Sequence, residues 1–329
     1  MENPDKIQSL KQCPMNNPLI SIVVCTYNRV QMLERTMESI FAQQYRPVEI
    51  LIIDDGSTDN TGELIEGYGN KVRYHRQENK GIAAARTIGC KLAEGEYIAF
   101  QDDDDLMPPN RIICLYKALC RYPDAVLAVG DWVYIDAEGN STGKRSKFNI
   151  HAENGEPTLI EDGYKAVLWP FVTPLPHTTL FKRADGECIG WFDDARFFHG
   201  CSDTDFFACL GQLGPIVYVP EIVSYYRMGH NQLWANNFLG EYSRFLLLEK
   251  HLNAITSDRN DLKKRLQFRM LNVLKQIASL QKNGDRPSHS VPGDYLKRGL
   301  SLLDLTGKLK YQWYASVRLP VRRFVLGQS

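Results

Sequence analysis

The sequence predicts an α/β protein built on a Rossmann-like, doubly wound and mostly parallel sheet, followed by a helical C-terminal extension. Strand and helix patterns alternate three times over 19–100, and a leucine-rich stretch at 241–281 repeats with a helical period. A polar cluster follows each of three predicted strands, at 26–29, 54–59 and 102–105. Because ligands of such sheets bind beyond the carboxyl ends of the strands, we expect these clusters to border one crevice.

The first predicted elements form a β-α-β unit. Residues 19–25 are a β-branched apolar run, which is typical of a strand buried on both faces. Apolar side chains then recur at i, i+4, i+7 and i+8 from Leu33, a spacing that predicts an amphipathic helix. A second buried strand at 48–53 ends in residues 54–59, whose side chains favour turns and helix N-caps.

The alternation continues up to the acidic run at 102–105. A short strand is predicted at 72–74 and an alanine-rich helix at 82–94, and the strand at 97–100 leads directly into the four aspartates. Beyond Pro108 the pattern is mixed. It includes a helix at 111–120, strand-like segments at 125–135 and 178–182, and a Pro/Gly/Ser linker at 283–294.

The composition is that of a globular protein. Of 329 residues, 43% are hydrophobic, and 39 basic residues balance 39 acidic ones, so the charge gives no indication of a nucleic-acid partner. The eight cysteines include no Cys-x-x-Cys pair, which favours reduced thiols and a cytoplasmic protein. The polar stretch 1–16 lacks the apolar centre of a signal peptide, and no segment has the roughly 18 apolar residues of a membrane span. We therefore expect a soluble or peripheral protein.

The acidic run at 102–105 needs compensating charge. Two carboxylates about 4 Å apart repel each other by about 4 kcal/mol at an effective dielectric constant near 20. A solvated acidic turn is the alternative to a metal site, but the position directly after a buried strand favours a divalent ion. Mg²⁺ and Mn²⁺ prefer oxygen ligands and bridge carboxylates to phosphates.

Five motifs, in this order, resemble the signature of family 2 glycosyltransferases. They lie at 21–29, 52–59, 79–86, 95–98 and 102–106. The resemblance implies the GT-A fold, a nucleotide-sugar donor, a divalent metal ion (Mn²⁺ or Mg²⁺) and inversion at the anomeric carbon. The domains that it implies are a polar leader at 1–16, a catalytic domain at 17–235 with a nucleotide-binding half at 17–105 and an acceptor half at 106–235, and a helical extension at 236–329.

On the donor side, the resemblance implies that Thr26 and Tyr27 border the base and that Asp55 hydrogen bonds the base or the ribose. An acceptor-only carboxylate suits a uracil imide N–H or a ribose hydroxyl. The alternative is that Asp54 or Asp55 caps the next helix. The donor-side positions that match the family are Thr26, Tyr27, Asn28, Arg29, Asp55, Arg86, Asp102 and Asp103.

The same resemblance places the metal ion at the acidic run. Asp102 and Asp104 match the Asp-x-Asp element, Asp103 is its middle position, and Asp105 would orient its neighbours. His230 follows a Tyr-Arg pair that resembles a family element contacting diphosphate or metal, but it is displaced by one residue from the commonest spacing. An ordinary surface or core histidine is the alternative there.

On the acceptor side, Asp203 matches the family's catalytic base, which takes the proton of the attacking hydroxyl. Ser202 stands where many members have Glu, Asp205 is the second candidate, and an N-cap role for Asp203 is the alternative. Trp169 and His177 fall where the acceptor wall would be, although simple core packing accounts equally well for Trp169.

The predicted function is transfer of a sugar, from a UDP-sugar in particular, to a hydroxyl of a glycan or lipid-linked acceptor in surface polysaccharide or glycolipid assembly. A non-catalytic nucleotide-sugar-binding subunit is one alternative. A nucleotidyltransferase is another, but it would carry a glycine-rich loop where 26–29 stands. The basic and aromatic tail at 308–326 favours peripheral contact with the inner face of an anionic membrane, or packing on its own domain or on a homodimer partner.

Overall fold

The computed structural model describes residues 17–146, 148, 150, 152, 155–169, 173–193, 200–229, 238–282, 294–304, 307–308 and 310–312. Contacts among the described residues group into two compact units. The first lies within Met1–Asp193 and Asp203–Asn231, and the second within Asp194–Ser202 and Gln232–Ser329.

The first unit contains nine described strands and seven α-helices. The strands are β1 (Ile20–Thr26), β2 (Val48–Asp54), β3 (Arg73–Arg76), β4 (Tyr97–Asp102), β5 (Leu127–Ile135), β6 (Ser141–Arg145), β7 (Thr158–Ile160), β8 (Thr179–Lys182) and β9 (Ile216–Arg227). The helices are α1 (Val30–Phe41), α2 (Thr61–Glu66), α3 (Ile82–Leu92), α4 (Arg111–Arg121), α5 (Gly163–Leu168), α6 (Arg183–Cys188) and α7 (Ser202–Gly211). A short 3-10 turn at Pro176–Thr178 precedes β8.

These strands form one sheet in the order β3-β2-β1-β4-β8-β5-β9-β7, with β6 paired to β5. Strands β1 to β4 run parallel, β8 is antiparallel to both of its neighbours, and β5 is parallel to β9. This is the mostly parallel α/β architecture that the alternating pattern predicts. In register, Thr26 pairs with Asp54 and Cys25 with Asp102, so three of the polar clusters begin at the same edge of the sheet.

The core lies on both faces of the parallel strands, as the apolar runs predict. Every residue of β1 is buried, and Leu33, Met37 and Ile40 of α1 pack in the same core cluster. Helix α3 lies very close to the sheet, because a Cβ at Gly89 would come within 2.4 Å of Val23 Cγ1. Glycine is therefore required at the contact between α3 and β1.

Strand β9 is the main element that the sequence pattern does not predict. Pro220 interrupts its apolar run, and a proline normally argues against an interior strand. The structure accommodates it at an irregularity of the β5–β9 ladder, where the register shifts between Gly130 and Asp131. Strand β7 pairs only with residues 216–218, so no ladder partner on that side requires the missing N–H of Pro220.

The second unit is helical, as the leucine-rich pattern predicts. Its described helices are α8 (Phe238–Ala254), α9 (Asn260–Lys282) and α10 (Tyr295–Ser301). Aromatic rings of Tyr242, Phe245 and Tyr295 contact one another, and Arg298 forms an ion pair with Glu249 at 2.8 Å. Within the described part of the chain, no helix is both long and apolar enough to span a bilayer.

Candidate active site

The loops after β1 and β2 are tied together at the sheet edge. Asn28 adopts a left-handed backbone conformation with φ of 53°, and its side-chain oxygen accepts a hydrogen bond from the Thr58 N–H at 2.7 Å. The Asn28 N–H donates to Ser57 Oγ at 2.9 Å. The backbone that carries Arg29 into α1 is therefore held in one conformation.

The two acids that follow β2 have different partners. Asp54 Oδ1 accepts from the Ser57 N–H at 2.7 Å, which closes the turn after the strand. Asp55 is buried and accepts three hydrogen bonds from the segment after β3: from Gln77 Nε2 (2.7 Å), the Lys80 N–H (2.9 Å) and the Gly81 N–H (2.8 Å). An open surface cavity of about 480 Å³ is lined by Gly56 and residues 76–79.

Asp102 and Asp105, called here the inner half of the acidic run, are neutralised by buried cations. Asp102 Oδ1 accepts from Arg86 Nη2 at 2.8 Å, and Asp102 Oδ2 lies 2.8 Å from His177 Nδ1. The same ring nitrogen lies 2.9 Å from Asp105 Oδ2, and Asp105 Oδ1 accepts from the Arg227 N–H at 2.7 Å. Asp102, Asp105 and His177 thus form one cluster, in which Asp105 and His177 are buried and the Asp102 side chain is 26% exposed.

The pKa values follow from these contacts. Burial alone would lower the pKa of His177, but the carboxylates of Asp105 and Asp102 raise it to about 10. Burial tends to raise the pKa of Asp102, and Arg86 and His177 outweigh it, so the pKa of this carboxyl lies below its usual range. Burial raises the pKa of Asp105 to about 6 despite His177. At neutral pH His177 is therefore an imidazolium between carboxylates.

Asp103 and Asp104, called here the outer half of the run, face Arg29. Arg29 Nη1 lies 3.0 Å from Asp103 Oδ1 and 2.5 Å from Asp104 Oδ2. Burial and the neighbouring Asp104 charge raise the pKa of Asp103 to about 7, although Arg29 opposes the shift. Arg29 thus faces two carboxylates at once.

A divalent ion fits the outer half better than the inner one. Among the described residues, Asp102, Asp105 and His177 have ligand atoms within 4.8 Å of one another, but His177 Nδ1 already lies 2.8 Å and 2.9 Å from the two carboxylates and occupies the space between them. Asp103 and Asp104 offer hard carboxylate oxygens that already face a cation, the chemistry that Mg²⁺ and Mn²⁺ prefer.

Arg86 connects the acidic run with Asp203. It is buried, and its guanidinium lies 5.9 Å from the ring of Phe100 and 5.8 Å from that of Phe192. Its positive charge interacts with both Asp102 and Asp203. Burial raises the pKa of Asp203, a half-buried residue in the first turn of α7, and Arg86 opposes the shift. Asp205, two residues further along α7, is buried.

The structure gives fewer contacts for the other residues predicted to belong to the site. Thr26 ends β1 and is buried, whereas the ring of Tyr27 is 46% exposed beside it. Trp169 follows α5 and is half-buried. His230 lies outside the described residues, as does most of the tail at 308–326. The roles assigned to these residues stay predictions.

Sequence reasoning missed Arg111, and it used Arg227 only as part of the Tyr-Arg pair before His230. Arg111 is fully buried and donates to Gln101 Oε1 at 2.8 Å and to the Phe100 carbonyl at 2.7 Å. Arg227 Nε donates to the Asp104 carbonyl at 2.8 Å. The signal for Arg111 is its place on the buried stripe of α4, four residues before Leu115, where a charged side chain needs internal partners.

Comparison with known proteins bears on the same region. The family model described as Glycosyl transferase family 2 matches residues 21–184. Glycosyltransferase GlyG of Streptococcus pneumoniae is 42% identical over 127 residues, which cover 37% of this chain and 42% of that protein. GlyA of the same organism is 35% identical over 124 residues, 36% of this chain and 18% of that protein. The chain therefore matches less than half the length of these relatives.

Solved structures share the fold. TarS 1-349 of S. aureus superimposes with a TM-score of 0.58 at 17% identity, covering 89% of this chain and 80% of that one. The mannosyltransferase PcManGT from Pyrobaculum calidifontis, in complex with GDP-Man and Mn²⁺, gives a TM-score of 0.55 at 15% identity, covering 91% and 88%. The GT-A expectation is thus confirmed at the level of fold. The family match, which begins in β1 and extends past the acidic run and β8, shows that the chain belongs to glycosyl transferase family 2.

Proposed function

We propose that this protein transfers a sugar from a UDP-sugar to a hydroxyl of a glycan or lipid-linked acceptor, with a divalent ion at the acidic run. One observation carries the proposal: the buried Arg86 guanidinium forms an ion pair with Asp102 at 2.8 Å at the sheet edge, within electrostatic range of Asp203. A donor-side acid and a candidate acceptor-side base therefore lie near the same cation. Family members require these two functions side by side, because the acceptor oxygen must meet the anomeric carbon of the donor.

The hydrogen bonds of Asp55 support uracil as the base. A carboxylate has about four lone-pair sites. Asp55 uses three, two on Oδ1 and one on Oδ2, so it retains capacity for one further donor. The imide of uracil presents a single N–H, whereas guanine presents a ring N–H and an amino group side by side and needs both oxygens. TarS 1-349 of S. aureus has been solved with UDP-GlcNAc and PcManGT with GDP-Man, so both bases occur among proteins of this fold.

The acidic run would hold the divalent ion, through Asp104 with Asp103 and Asp102 beside it. When bound, such an ion neutralises the diphosphate and makes it a better leaving group. The chain's own part is to keep the carboxylates in place. Thr36 Oγ1 donates to the carbonyls of Asp103 and Asp105, at 3.0 and 2.9 Å, and so fixes the backbone of the run.

Asp203 is the proposed base for an inverting displacement. The acceptor oxygen bonds to the anomeric carbon, the bond from that carbon to the diphosphate oxygen breaks, and the hydroxyl proton passes to the Asp203 carboxylate. A raised pKa brings a carboxylate closer to the operating pH, where proton transfer is most effective, and burial raises the pKa of Asp203.

An exchange of Asp203 for asparagine tests this assignment. We expect Asp203→Asn to lower transfer by about 10²- to 10⁴-fold, because the variant keeps the shape of the side chain but lacks the base. UDP affinity should be unchanged. Asp205→Asn, in the same turn of α7, is the matched control and should retain transfer; chelation of divalent ions should abolish it in both.

Full transfer by Asp203→Asn, with loss in Asp205→Asn, would move the base to Asp205. Donor binding without turnover over a broad panel of acceptors would instead favour a non-catalytic nucleotide-sugar-binding subunit. Membrane contact through the tail at 308–326 and homodimerisation complete the proposal for the whole protein, and vesicle co-sedimentation and light scattering test them.

A further inference from the structure

We infer that Arg29 is an internal counter-cation of the acidic run, which a divalent ion displaces from Asp104 and which the diphosphate of the donor then receives. The inference rests on the proposed function, since it requires a metal ion and a nucleotide diphosphate at this site. Arg29 Nη1 lies between Asp103 Oδ1 and Asp104 Oδ2, at 3.0 and 2.5 Å. An ion that takes Asp104 Oδ2 as a ligand competes with this guanidinium for the same oxygen.

Among the described cations near the acidic run, Arg29 has the most exposed side chain, because Arg111 and Arg227 are also buried. The side chains of Arg86 and His177 are 9% and 2% exposed, and each is held by carboxylates in the inner half of the run. The Arg29 side chain is 29% exposed. Moving a buried charge without a replacement partner is far more costly than moving one at the rim, so the exchange takes place at Arg29.

The backbone makes this exchange a movement of one side chain. Asn28 is fixed by Ser57 and Thr58, and the Val30 N–H donates to Asp59 Oδ2 at 3.2 Å. When the guanidinium leaves Asp104, the Arg29 Cα therefore stays in place at the start of α1. A diphosphate that arrives with the metal ion presents oxygens in the geometry that a guanidinium binds best. Arg29 thus stays paired with negative charge both before and after donor binding.

Arg29→Met tests the inference through two equilibria that should move in opposite directions. With Mn²⁺ alone, measured by electron paramagnetic resonance, we expect the variant to bind the ion about tenfold more tightly, because no guanidinium competes for Asp104. With Mn²⁺ saturating, UDP should bind about tenfold more weakly by calorimetry, because a phosphate contact is lost. Arg35→Met, which removes an exposed arginine of the same helix, should leave both affinities unchanged.

A purely structural role for Arg29 would weaken both affinities in the variant, and that result would overturn the inference. So would unchanged Mn²⁺ affinity, or UDP affinity that does not fall. Failure of the proposed function has a different signature: the unchanged protein would then bind neither Mn²⁺ nor UDP. Thermal unfolding in chelator shows whether each variant is folded, and Mn²⁺ should raise the melting temperature of Arg29→Met more than that of the unchanged protein.

Discussion

At the residue scale, the charge on His177 holds the inner acidic cluster together. Its Nδ1 lies within 2.9 Å of two carboxylates, and its ring stacks on Tyr226 with centroids 5.0 Å apart. Without the ring proton, the carboxylates of Asp102 and Asp105 would face each other inside the protein, which is costly. The proton of His177 therefore performs in the inner half of the run the task that Arg29 performs in the outer half.

This arrangement predicts a pH-dependent stability. The pKa of His177 is raised from 6.5 to about 10 on folding, so its stabilising contribution is complete below pH 6.5 and is lost as the pH rises through 10. We compare the unchanged protein with the double variant Asp105→Asn/His177→Gln, which replaces the charged pair by neutral groups of similar size. The difference in unfolding free energy should fall by up to about 1.4 kcal/mol per pH unit within this window.

Urea unfolding at several pH values between 6.5 and 10 measures that difference, and groups common to both proteins cancel from it. A difference that stays constant across the window would show that His177 is already neutral in the folded state.

Motif order predicts which acids are functional, but it does not predict their cations. Asp102 and Asp203 stand in ordered motifs that can be read along the chain. His177 meets Asp102 across 75 residues of sequence, and Arg29 meets Asp104 across 75 as well. No local periodicity connects such pairs, because the contacts are made by loops whose ends are brought together only by the sheet. For that reason the sequence suggested an acceptor wall at His177, whereas the structure places it beneath the acidic run.

At the scale of elements, the parts that periodicity predicts well are those whose burial is set by one neighbour. Helix α1 shows a full apolar stripe and was predictable within a few residues. Strand β9 was not, because its proline is tolerated only through the irregular pairing with β5 and the short partner β7. Helix α3 has an intermediate status: its alanine content predicts a helix, but only the structure shows how closely it lies on β1.

That close approach predicts opposite effects for the same substitution in two helices. Gly89→Ala places a Cβ 2.4 Å from Val23 Cγ1 and 3.2 Å from Ile53 Cγ1, so we expect a loss of about 1–3 kcal/mol of stability. Gly62→Ala in α2 meets its nearest atom, the Tyr74 hydroxyl, at 3.6 Å, and should be neutral or stabilising by up to about 1 kcal/mol.

Denaturant unfolding of the two variants measures both effects. Donor affinity supplies a second readout, because Gly89 lies three residues after Arg86 on the buried side of α3, and a shift of the helix moves that guanidinium. Equal stability of the two variants would mean that α3 lies further from the sheet than this geometry requires.

At the scale of the whole molecule, the strand order decides which loops meet. The parallel half β3-β2-β1-β4 brings together Asp55, Arg29 and the acidic run, and the family resemblance anticipated that half. The insertion of the antiparallel β8 between β4 and β5 brings the 3-10 turn with His177 against the acidic run. This pairing depends on nonlocal contacts over nearly the whole first unit, which sequence spacing does not encode.

Ligand-dependent stability of the whole protein provides the last prediction, on the choice of base. In excess Mn²⁺, UDP at 100 times its dissociation constant should stabilise the fold by about 2.7 kcal/mol, and GDP at the same concentration by much less. The reason is that Asp55 has capacity for one donor while Gln77 Nε2 and the Lys80 N–H occupy Oδ1. Gln77→Ala releases one site on Oδ1, so both oxygens become available, and the preference for UDP over GDP should narrow.

Glu78→Ala removes an exposed side chain from the cavity lined by Gly56 and residues 76–79 without touching Asp55, and it should leave the preference unchanged. If GDP stabilises the unchanged protein as much as UDP does, or if Gln77→Ala leaves the preference intact, then the hydrogen bonds of Asp55 do not select the base.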